Sequence, residues 1–324
     1  MSGLFSGKFL DIKMDFEYKQ LSSSLLRDLH YLFRISGKRI SFFQMQKKYD
    51  TKRFGSEYIG FIAYDASKNL PVGFYGVLPV EAIYFGKKIT IAQSADTITH
   101  PDYRKLGIFK NLAEKTYELC LKSGINLLFG IPNYNSYHGF IKYLDWEDKG
   151  IFLKFTKKIS TIPVNAFVNK LKIFQPIYFS YIKLILLLFG KSNKLHFKNF
   201  INHEFFIPFT PNYRDYKVNN GKFEVEIRRV KLIFSFKGYM KIGMYDTSEG
   251  DFSSINLRLK LIAILSGSHK IVFQKLDSLC DENTKNDFSS YSISEGLPFI
   301  QKKIFENRIN DDLLNINYFD FDTF

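Results

Sequence analysis

The sequence predicts a mixed α/β (α+β) fold in two parts, and three observations predict it. Between residues 58 and 158, strand-like runs alternate with helical spacing, and one strand, turn, helix and strand in order make a βαβ unit. Residues 125–131, INLLFGI, form a short apolar run suited to burial on both faces of a parallel pair. From about residue 222 a second series of strands begins, followed by a helix and another strand, which reads as a smaller α+β domain. A chain of 324 residues has room for two domains and buries a full core without disulfide or metal staples. With 45% hydrophobic and 24% charged residues, it is neither a disordered chain nor a disulfide scaffold.

Each element has its own warrant. Residues 20–35 place apolar side chains at helical spacing behind Ser22, Ser23 and Ser24, any of which suits a cap. Residues 58–64 (YIGFIAY) and 72–79 (VGFYGVLP) read as strands joined by the turn-rich DASKNLP. Residues 82–85 and 88–92 form a hairpin across Phe85-Gly86-Lys87, and the second strand continues as 91–100. A helix is expected from Gly107 to Lys122, with Leu112, Ala113, Thr116, Leu119 and Cys120 on one face and Gly124 ending it. Another helix follows over 136–144, and 150–158 returns as a strand. The expected division is a domain at 1–160, a connector at 161–204 and a smaller α+β domain at 205–324.

Charge is the unusual feature: net +14. Part of the lysine excess accords with a sequence rich in Lys, Asn, Ile, Phe and Tyr, whose codons are A/T-rich. The rest is local. Residues 151–203 carry nine lysines and no Asp, Glu or Arg. Within them Ile173–Phe189 is the most apolar run of the chain, interrupted by Gln175, Ser180 and Lys183 and short of the 18 or more apolar residues of a spanning helix. Lysines 170, 172, 183, 191, 194 and 198 flank it, which suits either an interfacial helix on an anionic membrane or a helix packed between domains. Concentrated there, the charge argues against nucleic acid. Cys120 and Cys280 make no CxxC pattern, and residues 1–16 hold no continuous apolar run, so the chain is expected in a reducing cytoplasm, with peripheral contact at the inner membrane face.

Most chemical motifs are missing. GKS at 190–192 resembles the end of a phosphate-binding loop, but Ile185 stands where that loop needs Gly. The six histidines make no pairs at metal-ligand spacing, so no metal is expected. The informative stretch is Thr99-His-Pro-Asp-Tyr-Arg-Lys-Leu-Gly-Ile-Phe109. A strand ends, a loop carries Arg104 and Lys105, and Gly107 opens a helix whose N-terminal amides and dipole favour a diphosphate.

That stretch resembles the acyl-CoA loop of the GNAT N-acetyltransferase superfamily, Arg/Gln-x-x-Gly-x-Gly/Ala after the fourth strand. Arg104 and Gly107 match. Phe109 stands where Gly or Ala is usual, and its backbone N–H can still donate if its ring turns to the core. THPDYRKLGIFKNLAEKTYE is similar to the family's strand–loop–helix, GIPNYNSYHGFIKYLDW to its fifth strand and next helix, and KKYDTKRFGSEYIGFIAYD with VGFYGV to its early strands. The resemblance covers about residues 10–158. It implies a mostly antiparallel mixed sheet with a splayed parallel strand pair and acetyl-CoA as co-substrate, and it allows a second GNAT-like domain at the C-terminus. It further implies that amides of Thr97, Ile98 and Thr99 hold the thioester carbonyl. Arg104, Lys105, Leu106, Gly107, Ile108 and Phe109 would hold the diphosphate, and Asn133 or Asn135 the pantetheine arm.

For the proton taken from the amine, Asp96 is the candidate base; the competing role is a structural hydrogen bond, since a carboxylate in an apolar strand needs a partner. The family's general acid is a Tyr where this chain has Ile141, so Tyr137 or Tyr143 is expected to replace it. The resulting expectation is an N-acetyltransferase acting on an amine, such as an amino sugar or nucleotide sugar in bacterial surface-polysaccharide synthesis. The alternatives are a tRNA-dependent aminoacyl-transferring relative and a degenerate, non-catalytic GNAT module.

Overall fold

The computed structural model describes residues 15–38, 40–192, 194–197, 203–218, 221–305, 309 and 313–321. The N-terminal residues 1–14 and Lys198 lie outside them. The described residues fall into two compact units. One draws on Met1–Asp50, Tyr58–Val77 and Asp96–Leu119, the other on Thr51–Glu57, Leu78–Ala95 and Cys120–Phe324. These units interleave along the chain.

The first unit contains β1 (Phe16–Gln20), α1 (Leu26–Ile35), α2 (Phe42–Tyr49), β2 (Gly60–Asp65), the start of β3 (Leu70–Tyr84), the end of β4 (Lys87–Thr99) and most of α3 (Ile108–Lys122). β1 pairs antiparallel with β2, and β2 with β3. α1 buries Leu26, Leu29, Leu32 and Phe33, one face of a 3.6-residue period. A 3-10 turn at Ser23–Leu25 precedes it, and Ser22 makes no side-chain cap bond. α2 begins at a capping box in which Ser41 accepts from the Gln44 amide and the Gln44 side chain accepts from the Ser41 amide. KKYD therefore ends a helix, and a 3-10 turn at Lys52–Phe54 follows; strand character begins only at Gly60. α3 comes so close to β3 that a Cβ on Gly73 would stand 2.8 Å from the Ile108 side chain.

The second unit opens with the remainder of β3 and β4, joined across Phe85 and Gly86 at φ 44° and 75°, the two left-handed residues of a tight hairpin. Then come β5 (Ile125–Gly130), α4 (Tyr134–Leu144), β6 (Glu147–Lys158), α5 (Val164–Lys170), α6 (Gln175–Phe189), β7 (Phe205–Phe206) and α7 (Pro211–Lys217). β8 (Lys222–Ile227), β9 (Val230–Phe236), β10 (Met240–Asp246), α8 (Asn256–Leu265), β11 (Lys270–Leu276), α9 (Glu282–Asp287) and β12 (Ser292–Lys303) complete it. FEVEIRRVKLIF is thus a hairpin, with Arg228 and Arg229 at φ 48° and 66° in its turn.

Strand order in this unit is β4-β5-β12-β6-β11-β10-β9-β8. β4–β5 and β10–β11 are parallel. The pairs β5–β12, β12–β6, β6–β11, β10–β9 and β9–β8 are antiparallel. The fold is therefore mixed α/β with a mostly antiparallel sheet. β10-α8-β11 repeats the order of β4-α3-β5, a strand, a crossover helix and a parallel strand. Alternation along β9 sends Leu232 and Phe234 into one core cluster and Ile233 into another, so both faces of the sheet are covered. α6 and α8 lie in the first of these clusters. Lys172–Phe189, helical and 18 residues long, is long and apolar enough to cross a membrane, one residue more than the apolar run read from the sequence.

Candidate active site

In the first unit, β4 ends at Thr99 and the His100 amide donates to Val72 O at 2.8 Å, the last bond to β3 before the loop. A 3-10 turn over Pro101–Tyr103 follows, with the His100 ring accepting from the Asp102 amide. Its anchor is Tyr103, whose hydroxyl donates to Asp65 at 2.7 Å and accepts from Lys68 at 3.0 Å. The Ser67 and Tyr103 hydrogen bonds lower the Asp65 carboxyl to about 2. Beyond this anchor Arg104, Lys105, Leu106 and Gly107 are all exposed. Lys105 and Gly107 both sit in the left-handed region, at φ 66° and 75°, which curls the backbone so that the chain enters α3 directly.

The Asn111 amide bonds back to Gly107 O. The amides of the first turn precede it and carry the positive end of the helix dipole. Ile108 is buried, and Phe109 turns its ring edge-on to Tyr75 at 6.2 Å. The larger residue at 109 is thus absorbed by the core side, and its backbone N–H stays at the helix start.

Asp96 stands in the same unit, three residues before the end of β4, and is 2% exposed. Its carboxylate accepts from Lys48 at 2.6 Å, Lys38 at 2.9 Å and the Tyr49 hydroxyl at 2.7 Å. Burial pushes the carboxyl up, but Lys48 and Lys38 together outweigh burial and hold it well below the ordinary carboxylate range. Both oxygens are occupied by donors, which argues for the structural role of Asp96 over that of a base. Lys38, Lys48 and Tyr49 were not singled out in the sequence. The visible signal was the S-x-x-Q capping box at 41–44, which marks α2 and so places Lys48 and Tyr49 on its last turn.

The remaining predicted residues belong to the second unit. There the parallel pairing of β4 and β5 ends at Ser94 opposite Gly130, while β4 itself continues to Thr99. Asn133 caps α4, accepting from the Ser136 amide at 3.0 Å, and Asn135 is exposed on its first turn. Asn133 therefore has a local structural duty, while Asn135 leaves its amide to solvent. Tyr137 donates its hydroxyl to Asp148, and this bond raises the phenol above its ordinary value. Tyr143 lies on the outer face of α4, 53% exposed, beside His138. Of the two candidate acids, Tyr137 is the one held in a defined position. Thr97, Ile98, Thr99 and the 104–109 loop come together in the first unit; Asn133, Asn135, Tyr137 and Tyr143 come together on α4.

Among the described residues, no group of three or more His, Cys, Asp or Glu could hold a metal ion. A cleft of about 690 Å³ in the second unit is lined by Arg53, Lys88, Thr90 and Asn126, and none of the predicted site residues borders it.

Comparison with known proteins meets this geometry at the same elements. Residues 43–147 match the family model described as an acetyltransferase (GNAT) domain, a span that contains β4, the 104–109 loop, α3, β5 and α4. A GCN5-related N-acetyltransferase from Kribbella flavida is similar in structure, with a TM-score of 0.55 at 9% identity over 90% of this chain and 71% of that one. A probable N-acyltransferase from Enterococcus faecalis V583 gives 0.55 at 11% identity, covering 90% and 72%. N-myristoyltransferase from Saccharomyces cerevisiae, with myristoyl-CoA bound, gives 0.53 at 11% identity, covering 93% and 86%. At such identities the likeness is one of fold. No curated protein matches the chain by sequence. With the family match taking in the basic loop and the helix it opens, residues 43–147 of the chain are a GNAT acetyltransferase domain.

Proposed function

We propose that this protein is an acyl-CoA-dependent N-acyltransferase that passes an acetyl group from CoA to an amine. The GNAT fold supports acyl transfer from CoA in general. One observation carries the reading for this chain: an exposed loop, Arg104 to Gly107, with two left-handed residues, feeding directly into the positive end of the α3 dipole. Arg104 and Lys105 supply positive charge for a diphosphate, and the amides of Ile108 and Phe109 supply donors. Amides at Thr97–Thr99 would hold the thioester carbonyl. The amine attacks that carbonyl carbon, the C–S bond breaks, and the departing thiolate takes the Tyr137 proton. Asp96 serves by holding Lys48 and Tyr49 against β4, and the amine's proton leaves through water.

The acceptor we favour is an amino sugar or nucleotide sugar. The loop after β10, residues 247–255, contains Glu249 and Asp251 and no Lys or Arg, so the second strand–helix–strand repeat is unsuited to a diphosphate. That supports one CoA site per chain and leaves the C-terminal part for the acceptor.

Acetyl-CoA should raise the melting temperature, and Arg104→Glu should abolish the rise while leaving the ligand-free melting temperature unchanged. A screen of amine acceptors with detection of free CoA thiol then identifies the substrate. No stabilisation by acetyl-CoA or any longer acyl-CoA would sink the reading in favour of a non-catalytic module.

A further inference from the structure

The acid-free segment builds a surface that the acyl-transfer reading does not use. α6 is anchored on one side only. Tyr178, Ile182, Ile185 and Leu186 enter the core, the Tyr178 hydroxyl donates to Ser266 O at 2.7 Å, and the Tyr181 hydroxyl donates to Leu265 O at 3.0 Å. On the opposite side Ile177, Leu184 and Leu188 recur at helical spacing and are 73%, 63% and 78% exposed. Leu187 joins them, and Ile173, just before the helix, is also exposed. α8 packs in the same core cluster and presents its own outer row, Leu257, Leu261 and Leu265, at i, i+4 and i+8. Single exposed apolar residues are ordinary, but two neighbouring rows make a continuous patch of the kind that marks a docking surface.

The rim of the patch identifies what it docks to. Lys170 and Lys172 lie at its beginning, Lys183 along α6, Lys191 and Lys194 at its end, and Arg258 and Lys260 on α8. Neither 151–203 nor α8 holds an acidic residue. An apolar face on two helices that themselves carry cations and no acids complements a bilayer interface, where acyl chains meet anionic headgroups. A protein partner would be expected to leave some acid–base pairing in the rim. The helix lies along the bilayer and does not cross it, because four of its side chains and two hydroxyls are committed to the core.

We propose that the outer face of α6 and α8 is a peripheral docking surface for an anionic lipid bilayer. It places the acyltransferase at a membrane, where acceptors carried on lipid would meet it. The inference does not depend on the acyl-transfer reading.

The test is flotation of the full chain with vesicles of phosphatidylcholine mixed with phosphatidylglycerol, and with vesicles of phosphatidylcholine alone. The wild type should float with the first and not the second, and added salt should release it. Leu184→Glu with Leu188→Glu should abolish flotation. Lys172→Gln with Lys183→Gln should weaken it about 25-fold, at roughly fivefold per lysine. Both double variants should keep the melting temperature and its response to acetyl-CoA, which separates this test from the one for CoA binding. No flotation of the wild type, equal flotation with both vesicle types, or flotation unchanged in the lysine variant overturns the proposal. So does a wild-type dimer by light scattering that the leucine variant converts to monomer, since the face would then cover a second copy of the chain.

Discussion

Replacing Asp96 with Asn separates the two roles open to that carboxylate. The side chain is 2% exposed and receives Lys48 at 2.6 Å, Lys38 at 2.9 Å and the Tyr49 hydroxyl at 2.7 Å. Asn keeps an acceptor for Tyr49 but removes the charge opposite Lys48, whose side chain is only 18% exposed. Stranding one partner of a buried pair costs about 3–5 kcal/mol. Lys38, 45% exposed, turns to water and adds no more than about 1 kcal/mol. Because Lys48 is partly exposed, the low end of that range applies, and the expected loss is about 3 kcal/mol. At about 2–4 °C per kcal/mol for a large domain, the melting temperature should fall by roughly 6–12 °C.

The pH dependence has a definite sign. A carboxyl held below its ordinary value when folded stabilises the protein fully above the unfolded value of about 3.9, and that stability is lost as pH falls through the folded value. The gap between wild type and Asp96→Asn should thus be constant from neutral pH down to about 5 and narrow below about 4. Thermal melts across that range, with turnover measured below the variant's melting point, test it. A variant that melts within about 2 °C of wild type but loses turnover a hundredfold would refute the structural argument and make Asp96 the base.

Further expectations concern neighbouring elements. Gly73→Ala puts a Cβ 2.8 Å from the Ile108 side chain; overpacking of about 1–3 kcal/mol should lower the melting temperature and, by displacing the first turn of α3, weaken acetyl-CoA binding in titration. Asp148→Asn weakens the hydrogen bond that raises the Tyr137 phenol and removes the carboxylate charge beside it, so the alkaline limb of kcat should move to lower pH, and Tyr137→Phe should erase that limb. An unmoved limb would take Tyr137 out of the proton transfer. Cys120 is fully buried and burial pushes its thiol up, so it should resist thiol reagents in the native chain and react on unfolding.

What the sequence displayed well was local. Phe85-Gly86 announced its hairpin because a tight turn needs left-handed residues and Gly supplies one. The strand–loop–helix of 91–122 was readable because apolar spacing, a basic turn and Gly107 coincide there. The turn at Arg228-Arg229 was hidden, since neither residue is a turn former and the flanking strand pattern runs through it. The surroundings of Asp96 were hidden for another reason. Lys38 and Lys48 lie 58 and 48 residues away in sequence, and only the packing of α2 and the residues after α1 brings them to β4. The outer face of α6 was half legible: composition revealed lysines beside an apolar run, but only the fold distinguishes the four side chains spent on the core from those left outside.

The seat of β12 bears on how the molecule is made. Residues 292–303 lie between β5, which ends at residue 130, and β6, which ends at 158. During synthesis both flanking strands leave the ribosome more than a hundred residues before the one that joins them. Until then β5 and β6 lack their shared neighbour, and an unpaired strand edge is open to other chains. Completion of the sheet is therefore a late, long-range event, with the loop-closure cost that slows such pairings. A fragment stopping after β6 would leave that gap unfilled, so the sheet is completed only by the C-terminal part of the chain.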